Sequence, residues 1–455
     1  MLSDPFHQRL IDLLPKEDLL VDPSDCYAYG YDNSRKVFPP QAVVFARDTE
    51  QISRVVALCN EFSIPLIPRG RGTGTAGGSL PERGGVVLSL ERMRRIVKFD
   101  PANRVLVVEP GVLNQEAQDA VRPSGFFWPP DPSSSAYCSI GGNLATGAAG
   151  PHAVKYGTTR DHVLGLTAVT GAGKIIHAGC YTTKGVVGYD LTRLLIGSEG
   201  TLAVIAEATL KLTPEPAARG GITAHFRDSE ACAAAIAAIM AQPYVPSALE
   251  FMDRAALELV RRHYADLVPE ATQALLMIEV DGSPGEVEAA GEAIARVCCN
   301  EGLLQIRIEA DSRALWAARK ALSPLLRDVA PKKINEDVVV PVSRLPELLR
   351  GLEALSGRYG LANVNFGHAG NGNIHVNWLV DPDDADQMRR AQACLDEMFD
   401  LVLGLNGTLS GEHGVGSEKR AYVPREIDAA TLALMKDVKR VFDPNNILNP
   451  GKLFP

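Results

Sequence analysis

The stretch Pro68-Arg-Gly-Arg-Gly-Thr-Gly-Thr-Ala-Gly-Gly78 decides how the rest of the chain is read. It crowds five glycines and two threonines into eleven residues. Glycine permits positive φ and lets a bound group approach the backbone closely. Successive N–H groups in such a turn form a concavity that holds anions, and Arg69 and Arg71 bring positive charge to the same place. The stretch reads as a phosphate cradle, weighed against a flexible surface loop. Apolar, strand-like runs close on both sides favour the cradle. The spacing Gly72-x-Gly74-x-x-Gly77 matches a dinucleotide fingerprint, but that fingerprint needs a helix directly after its glycines. Here Leu80-Pro-Glu-Arg-Gly-Gly85 follows and a strand begins near Val86; proline and glycine would break a helix in that gap. The loop therefore joins two strands, which argues against an NAD-type Rossmann site despite Glu91.

Working outward, Gln41–Ala46 reads as a buried strand. Ile52, Val55, Val56, Leu58, Cys59 and Phe62 recur at helical spacing, and Ile64–Pro68 forms the strand that ends at the cradle. Further strands are expected at Val86–Leu90, Arg95–Phe99 and Val105–Glu109, then a helix near Leu113–Val121. Pro129-Pro-Asp-Pro132 stops regular structure. Ser139-Ile-Gly-Gly-Asn143 opens a second glycine-rich segment reaching Gly150; it suits close approach to a flat or charged ligand, or a close helix contact. A strand at Val163–Thr170 turns at Thr170-Gly-Ala-Gly173. Gly197-Ser-Glu-Gly-Thr201 opens a long strand, Leu202–Leu212, and Pro214 and Pro216 close the region.

The 455 residues suggest two domains. With 46% hydrophobic and 22% charged residues the composition is that of a globular protein. A net charge of −9 argues against a nucleic-acid partner. Met1–Leu20 lacks the pattern of a signal peptide, and no apolar run approaches the roughly 20 residues that span a bilayer. The expected location is cytoplasmic, or peripheral on the inner face of a membrane. None of the eight cysteines sits in a CxxC pair, so reduced, mostly buried thiols are expected and iron–sulfur and zinc-ribbon readings fail.

After Pro216 the pattern becomes that of a second α/β domain. Asp228 caps an alanine-rich helix running to Met240. Strands are expected at Ala248–Met252, Leu275–Val280 and Leu304–Glu309, with a helix ending near Cys299. Asp311–Leu326 reads as a helix containing Trp316 and Arg319, whose planar fork suits bidentate recognition of a carboxylate or else a surface ion pair. Asn335-Glu-Asp337 precedes a strand, Val338–Val340. Asn365-Phe-Gly-His368-Ala-Gly-Asn-Gly-Asn-Ile-His375-Val-Asn377 places two histidines seven apart across a tight turn. Ser410-Gly-Glu412-His413 adds a carboxylate and a further histidine. Two imidazoles and a carboxylate suit Zn²⁺ or Mn²⁺; core or surface histidines are the bland alternative. Glu412 and His413 converge only if they lie in a loop, because successive side chains oppose each other on a strand.

Taken together, the Pro68–Gly78 loop, Ile140-Gly-Gly-Asn143, Tyr156-Gly157, Gly197-Ser-Glu-Gly-Thr-Leu202 and Asn449-Pro-Gly-Lys452 resemble the vanillyl-alcohol-oxidase (PCMH-type) family of FAD-binding flavoproteins. The branch resembled is that of FAD-linked D-2-hydroxyacid dehydrogenases: D-lactate dehydrogenase, the glycolate oxidase FAD subunit and D-2-hydroxyglutarate dehydrogenase. The resemblance implies an α+β fold: a two-subdomain FAD-binding domain over 1–216, a cap domain with an antiparallel sheet that binds substrate and metal over 217–415, and a segment, 416–455, returning to the FAD domain. It implies that Pro68, Arg69, Gly70, Arg71, Gly72, Thr73, Gly74, Thr75, Gly77 and Gly78 wrap the FAD pyrophosphate. Ser139, Gly141, Gly142 and Asn143 would line the flavin ring and ribityl chain. Gly157, Asp161, Glu199, Gly200, Thr201 and Val204 would line the adenosine side or pyrophosphate, with Asn449 and Lys452 near the ring. No histidine lies between His7 and His152, so non-covalent FAD is expected.

For the chemistry, the resemblance implies that Arg319 binds the substrate carboxylate, Asn377 contacts substrate, His368, His375 and Glu412 hold the metal, and His413 abstracts the proton. The implied reaction is oxidation of a D-2-hydroxy acid, D-lactate first, with electrons passed to a quinone, a cytochrome or an electron-transfer flavoprotein. Relatives acting on a five-carbon diacid carry a lysine near position 335; Asn335 is neutral, although Lys332 and Lys333 lie close in sequence. The oligomeric state is open. Two readings of other classes also stand: a flavin-free metallohydrolase and a non-catalytic flavin-binding subunit.

Overall fold

Runs of Val, Ile and Leu broken by one amphipathic helix build the start of the chain, because strands buried on both faces need near-continuous apolar sequence. In the computed structural model, which describes residues 3–264, 267–309 and 313–455, the chain forms two units. One comprises Met1–Ala149, Gly157–Glu215 and Glu412–Pro455; the other comprises Gly150–Tyr156 and Pro216–Gly411.

The first unit holds two main sheets. In the first, Ala42–Phe45, Val86–Ser89 and Leu66–Arg69 lie side by side and parallel, with Leu19–Leu20 at the edge. Helix Thr49–Glu61 is capped by the Asp48 carboxylate and buries Ile52, Val55, Val56, Leu58 and Cys59. Parallel neighbours are normally joined through a helix. Here residues 70–85 contain neither helix nor strand, as the prolines and glycines require. The second sheet is antiparallel, in the order Ile96–Asp100, Val105–Val108, Ala203–Lys211, Val163–Thr170, Ile175–Gly179. The chain end is locked into this unit: Leu448 bridges Leu66 in parallel, Ile447 and Leu448 are buried in the core, and the buried Lys439 holds Asp443 and the carbonyls of Thr201 and Leu448.

The second unit is one seven-stranded antiparallel sheet. Its order is Leu303–Glu309, Ala218–Phe226, Ala274–Gly282, Ala248–Met252, Ala362–His368, Asn373–Val380, Lys332–Val339. Residues of helices Arg254–His263 and Arg313–Leu325 join Met252, Met277, Phe366 and Leu379 in one apolar cluster. The start expected for the latter helix, Asp311, lies outside the described residues. The strand expected at Val338–Val340 instead begins at Lys332. Asn335, Glu336 and Asp337 therefore lie within it, opposite Asn377, Val376 and His375; their polarity reads as loop in isolation, but the facing strand supplies polar partners.

The second unit ends at Gly411, four residues before the expected 415/416 boundary, because Val415 and Gly416 are held by Glu199 of the first unit. Six cysteines are buried, Cys180 and Cys299 are exposed, and all eight are free. Among the described residues no helix is long and apolar enough to cross a membrane.

Candidate functional site

In the first unit, the glycine loop is closed by contacts that only glycine allows. Gly72 and Gly77 take positive φ, +65° and +75°. Arg69, at the end of its strand, is buried. It donates to Ser79 Oγ at 3.1 Å and lies over the Tyr29 ring. Burial pulls its pKa down, and the negative charge of Asp32 opposes this. Arg71 stays half-exposed beside Glu91 at 3.4 Å. A Cβ on Gly70 would sit 2.6 Å from Ser139 Oγ and 3.5 Å from Gly142 Cα. The cradle thus backs directly onto the start of helix Ile140–Thr146, whose first turn Ser139 caps through Gly142 N–H. The same close fit holds at Gly141, whose Cβ would meet Pro110 at 2.5 Å. Around Gly74 nothing lies within 4 Å. This backbone-lined hollow fits a diphosphate: it offers N–H groups, a buried guanidinium, and room where a side chain would stand.

The structure also brings in the distant segments. Asn449 Nδ2 donates to Gly78 O and Glu199 O, both at 2.7 Å. Gly200, at φ +68°, rests against Pro68. The buried Glu199 carboxylate accepts from Val415 and Gly416 N–H at 2.6 and 2.8 Å; burial pushes its pKa up, against those N–H groups. Glu199 thereby ties the chain end to the cradle. Lys452 is buried 3.4 Å from Glu82; burial lowers its pKa and Glu82 counters. Gly157 and Asp161 form a separate tight turn, Asp161 accepting from Thr158 N–H at 2.8 Å. Thr201 donates to Ser198 O at 2.7 Å. The Val204 side chain belongs to the apolar core.

In the second unit, the Ala362–His368 and Asn373–Val380 strands form a hairpin around Gly372, at φ +73°. The turn stands His368 and His375 with ring centroids 5.1 Å apart at 89°. Register places Glu250 opposite His368, and His368 Nδ1 meets Glu250 Oε1 at 2.5 Å. The other oxygen of Glu250 forms an ion pair with Arg319 Nη2 at 2.7 Å. The Arg319 guanidinium also stacks over Phe366, 4.6 Å from its centroid. Burial alone would raise the Glu250 pKa; the charges of His368 and Arg319 outweigh it and hold it at about 2. On the far side, His375 Nδ1 faces Asp337 at 3.6 Å. Asp337 accepts from Asn373 Nδ2, Ser410 Oγ and Gly411 N–H. Glu412 and His413 belong to the closing segment of the first unit; they are half-buried and lie in neither helix nor strand. Asn377 is fully buried; its amide donates to Val364 O and His375 O and accepts from Asn335 Nδ2 at 2.7 Å.

Both imidazoles have a carboxylate close to Nδ1, Glu250 at hydrogen-bond distance from His368 and Asp337 at 3.6 Å from His375. That arrangement fits metal-ligating histidines, whose second ring nitrogen is characteristically held by a carboxylate. Sequence reasoning missed Glu250 and gave Asp337 no role. Glu250 had a signal: it is the single acid in the apolar run Ala248-Leu-Glu-Phe-Met252.

A glycine-walled anion cradle in one unit and a buried histidine–carboxylate–arginine network in the other point to a class, a cofactor-dependent oxidoreductase. Residues 40–179 match the family described as FAD binding domain, and residues 215–453 match that described as FAD linked oxidases, C-terminal domain. The chain is 37% identical to glycolate oxidase subunit GlcD of Bacillus subtilis (strain 168), covering 100% of this chain and 97% of that one. It is 36% identical to a D-lactate dehydrogenase of Anaerostipes hadrus, covering 91% and 89%. In fold it is similar to 4-ethylphenol oxidase from Gulosibacter chungangensis, with a TM-score of 0.80 at 19% identity over 100% of this chain and 98% of that one. The chain belongs to the FAD-linked oxidases, in the D-2-hydroxyacid dehydrogenase and glycolate oxidase family, and its cofactor is FAD.

Proposed function

We propose that the chain oxidises a small D-2-hydroxy acid, D-lactate first, to the 2-oxo acid. The observation that carries this is the Glu250-anchored Arg319 packed beside the paired imidazoles. A planar fork held by one carboxylate and one aromatic face keeps its orientation, and orientation is what an arginine contributes to a bound carboxylate. When bound, FAD supplies the acceptor for the hydride that leaves C2. A divalent cation, Zn²⁺ or Mn²⁺, would be held by His368, His375 and Glu412, and when bound it would supply Lewis acidity toward the substrate hydroxyl. His413 takes the hydroxyl proton; imidazole as a residue type titrates near neutrality, which suits a base at neutral pH. Asn377, which the resemblance places at the substrate, is fully buried and holds the Asn335 amide.

One residue narrows the substrate. Asn335 is neutral and its amide donates to Asn377, which weighs against a five-carbon diacid; Lys332 and Lys333, at the start of the same strand, are the cations that a second carboxylate would have to use. Glycolate is the second reading, favoured by the similarity to the Bacillus subtilis subunit. Anaerobic bleaching of the flavin absorbance by a panel of 2-hydroxy acids tests both. D-Lactate is expected to bleach fastest; bleaching by glycolate alone would install the second reading, and no bleaching by any of them would remove the dehydrogenase. Bleached protein challenged with a quinone, cytochrome c and an electron-transfer flavoprotein then identifies the acceptor by which one restores the absorbance.

A further inference from the structure

Directly after Glu412 and His413 the chain reads Gly414-Val-Gly-Ser-Glu418, and all seven residues belong to the first unit. This strap has no helix or strand to define its path; its backbone contacts do so instead. Val415 and Gly416 N–H donate to Glu199 Oε1 and Oε2, at 2.6 and 2.8 Å. Ser417 and Glu418 N–H donate to Ala76 O of the cradle, at 3.0 and 3.3 Å. Two strap positions require glycine. At Gly414, φ +82°, a Cβ would stand 2.6 Å from Glu199 Oε1, and at Gly416, φ +50°, it would run into Ala76 O. Glu199 is held as tightly from its own side. It sits at φ +51°, in the left-handed region that favours glycine, its N–H donates to Ala145 O at 2.8 Å, and its C=O accepts from Asn449 at 2.7 Å. A residue with a side chain persists in such a conformation where its surroundings over-determine it, and such residues gather at functional sites. Glycine would relieve the backbone but leave two strap N–H groups without their acceptor.

We propose that Glu199 is a positioning residue for the oxidation: its carboxylate holds Val415 and Gly416 N–H, fixes the path of the strap over the cradle, and so sets the place of His413. This rests on the reading of His413 as the base. Both Glu199 oxygens are committed to the strap, so the side chain serves the strap, whereas the resemblance sets the residue against the cofactor. Its neighbours on the other side are cradle residues: Oε2 lies 3.5 Å from where a Gly78 Cβ would stand, and Gly200 rests against Pro68. The strap is therefore measured off from the diphosphate seat by both of its acceptors, Ala76 and Glu199. A base carried two residues before the first of these contacts is referenced to the bound flavin through backbone alone. Such accuracy matters, because a misplacement of about 1 Å costs on the order of 10²-fold in rate.

The test combines Glu199→Gln with His413→Ala in the full-length, FAD-loaded protein. Glu199→Gln keeps the size of the side chain and turns one acceptor into an NH₂ group that faces a strap N–H. Hydrogen exchange in the peptide covering Gly414–Lys419 is expected to quicken, while flavin content, the flavin spectrum and exchange in the sheets match the parent. The limiting rate of anaerobic bleaching, by whichever hydroxy acid bleaches the parent fastest, should fall by roughly 10- to 100-fold, with the half-saturating concentration of acid unchanged. Added to His413→Ala, Glu199→Gln should slow bleaching no further, because a residue that acts through another has no separate effect once that one is gone. Should Glu199→Gln lose flavin or fail to fold, Gly414→Ala carries the same test, since it displaces the strap and leaves the carboxylate in place. Unchanged strap exchange, unchanged bleaching, or losses that multiply in the double variant each overturn the proposal; multiplied losses would return Glu199 to the cofactor. Parent-like bleaching by His413→Ala would remove the base itself, an outcome distinct from an impaired His413→Ala beside an unimpaired Glu199→Gln, which sinks the positioning role alone.

Discussion

The glycine cradle and the histidine hairpin solve opposite problems. In the cradle, side chains are kept out: Gly70, Gly72, Gly77 and Gly141 stand where a Cβ would collide, and the polar groups on offer are backbone N–H. In the hairpin, side chains are everything: two imidazoles, two acids, a guanidinium and two amides are buried together, each held by another. A backbone site is specified by conformation and a side-chain site by long-range pairing. Damage should therefore separate. Injury to the hairpin should leave FAD in place, and injury to the cradle should leave the hairpin intact.

The largest effect is expected from His413→Ala, a residue outside the hairpin that the proposed chemistry uses as its base. Loss of a general base removes on the order of 10²–10⁴-fold in turnover, while the flavin spectrum and FAD content stay as in the parent. Stopped-flow bleaching by D-lactate measures the first and denaturing release of flavin the second. Unchanged bleaching would dismiss His413 as base; lost flavin would mean that the two regions do not fail separately.

Next comes Glu250→Gln, which keeps shape and removes charge. The His368 tautomer and the Arg319 fork both depend on this carboxylate. Loss of a carboxylate partner behind a metal-ligating histidine typically weakens the metal by 10–100-fold. Metal content after dialysis against graded chelator reads that directly, without relying on activity, and KM for the hydroxy acid should rise as Arg319 loses its anchor. Glu250→Ala should also cost stability, roughly 3–5 kcal/mol, because it strips a buried pair of one partner. Metal retention equal to the parent in Glu250→Gln would break the link between the acid and a metal site.

These residues also mark how far the sequence could be read. The cradle was legible because glycine spacing is local, and because Pro81, Gly84 and Gly85 forbid the helix that a Rossmann site needs. The hairpin was legible because His368 and His375 are separated by one tight turn. Glu250 was not: it meets His368 through strand register across more than a hundred residues, and no local pattern encodes that pairing. Asn335–Asp337 read as a lead-in to a strand because polar residues seldom fill one. Here they sit in the strand, because the facing Asn377 and His375 are polar too. Asp337 and Glu199 show the same limit. Each accepts backbone N–H groups from a distant loop, and their burial follows from the loop's path.

The cradle side is probed more gently by Gly74→Ala. Gly74 has open space around its Cα and is not held at positive φ, so the apo fold should melt at an unchanged temperature. If the hollow holds the diphosphate, the added methyl stands in the ligand's place, and FAD affinity should fall by about tenfold, roughly 1.4 kcal/mol. Gly77→Ala, at φ +75° and against Ser417, should lower stability and FAD binding together. Equal FAD affinity in Gly74→Ala and the parent would show that this part of the loop does not face the cofactor.

The smallest effect concerns a carboxylate that supports the hairpin from below. Asp253 caps helix Arg254–His263 through Ala256 N–H and accepts from the backbone and side chain of Asn365. Burial pushes its pKa up to about 6, against those hydrogen bonds. A raised acid pKa means that the native state holds the proton more tightly than the unfolded chain. Between the ordinary value of 3.8 and about 6 the native state carries the extra proton, so stability falls as pH rises through that window and levels off above it. Most carboxylates act in the other direction. Glu250, held at about 2, adds stability above its ordinary range and loses it as pH drops. Asp253→Asn keeps an oxygen for the cap and removes the titration. Its melting temperature relative to the parent should therefore rise between pH 4 and 6. A difference between the two proteins that stays flat across that range would place the Asp253 proton elsewhere and leave the hairpin's support independent of pH.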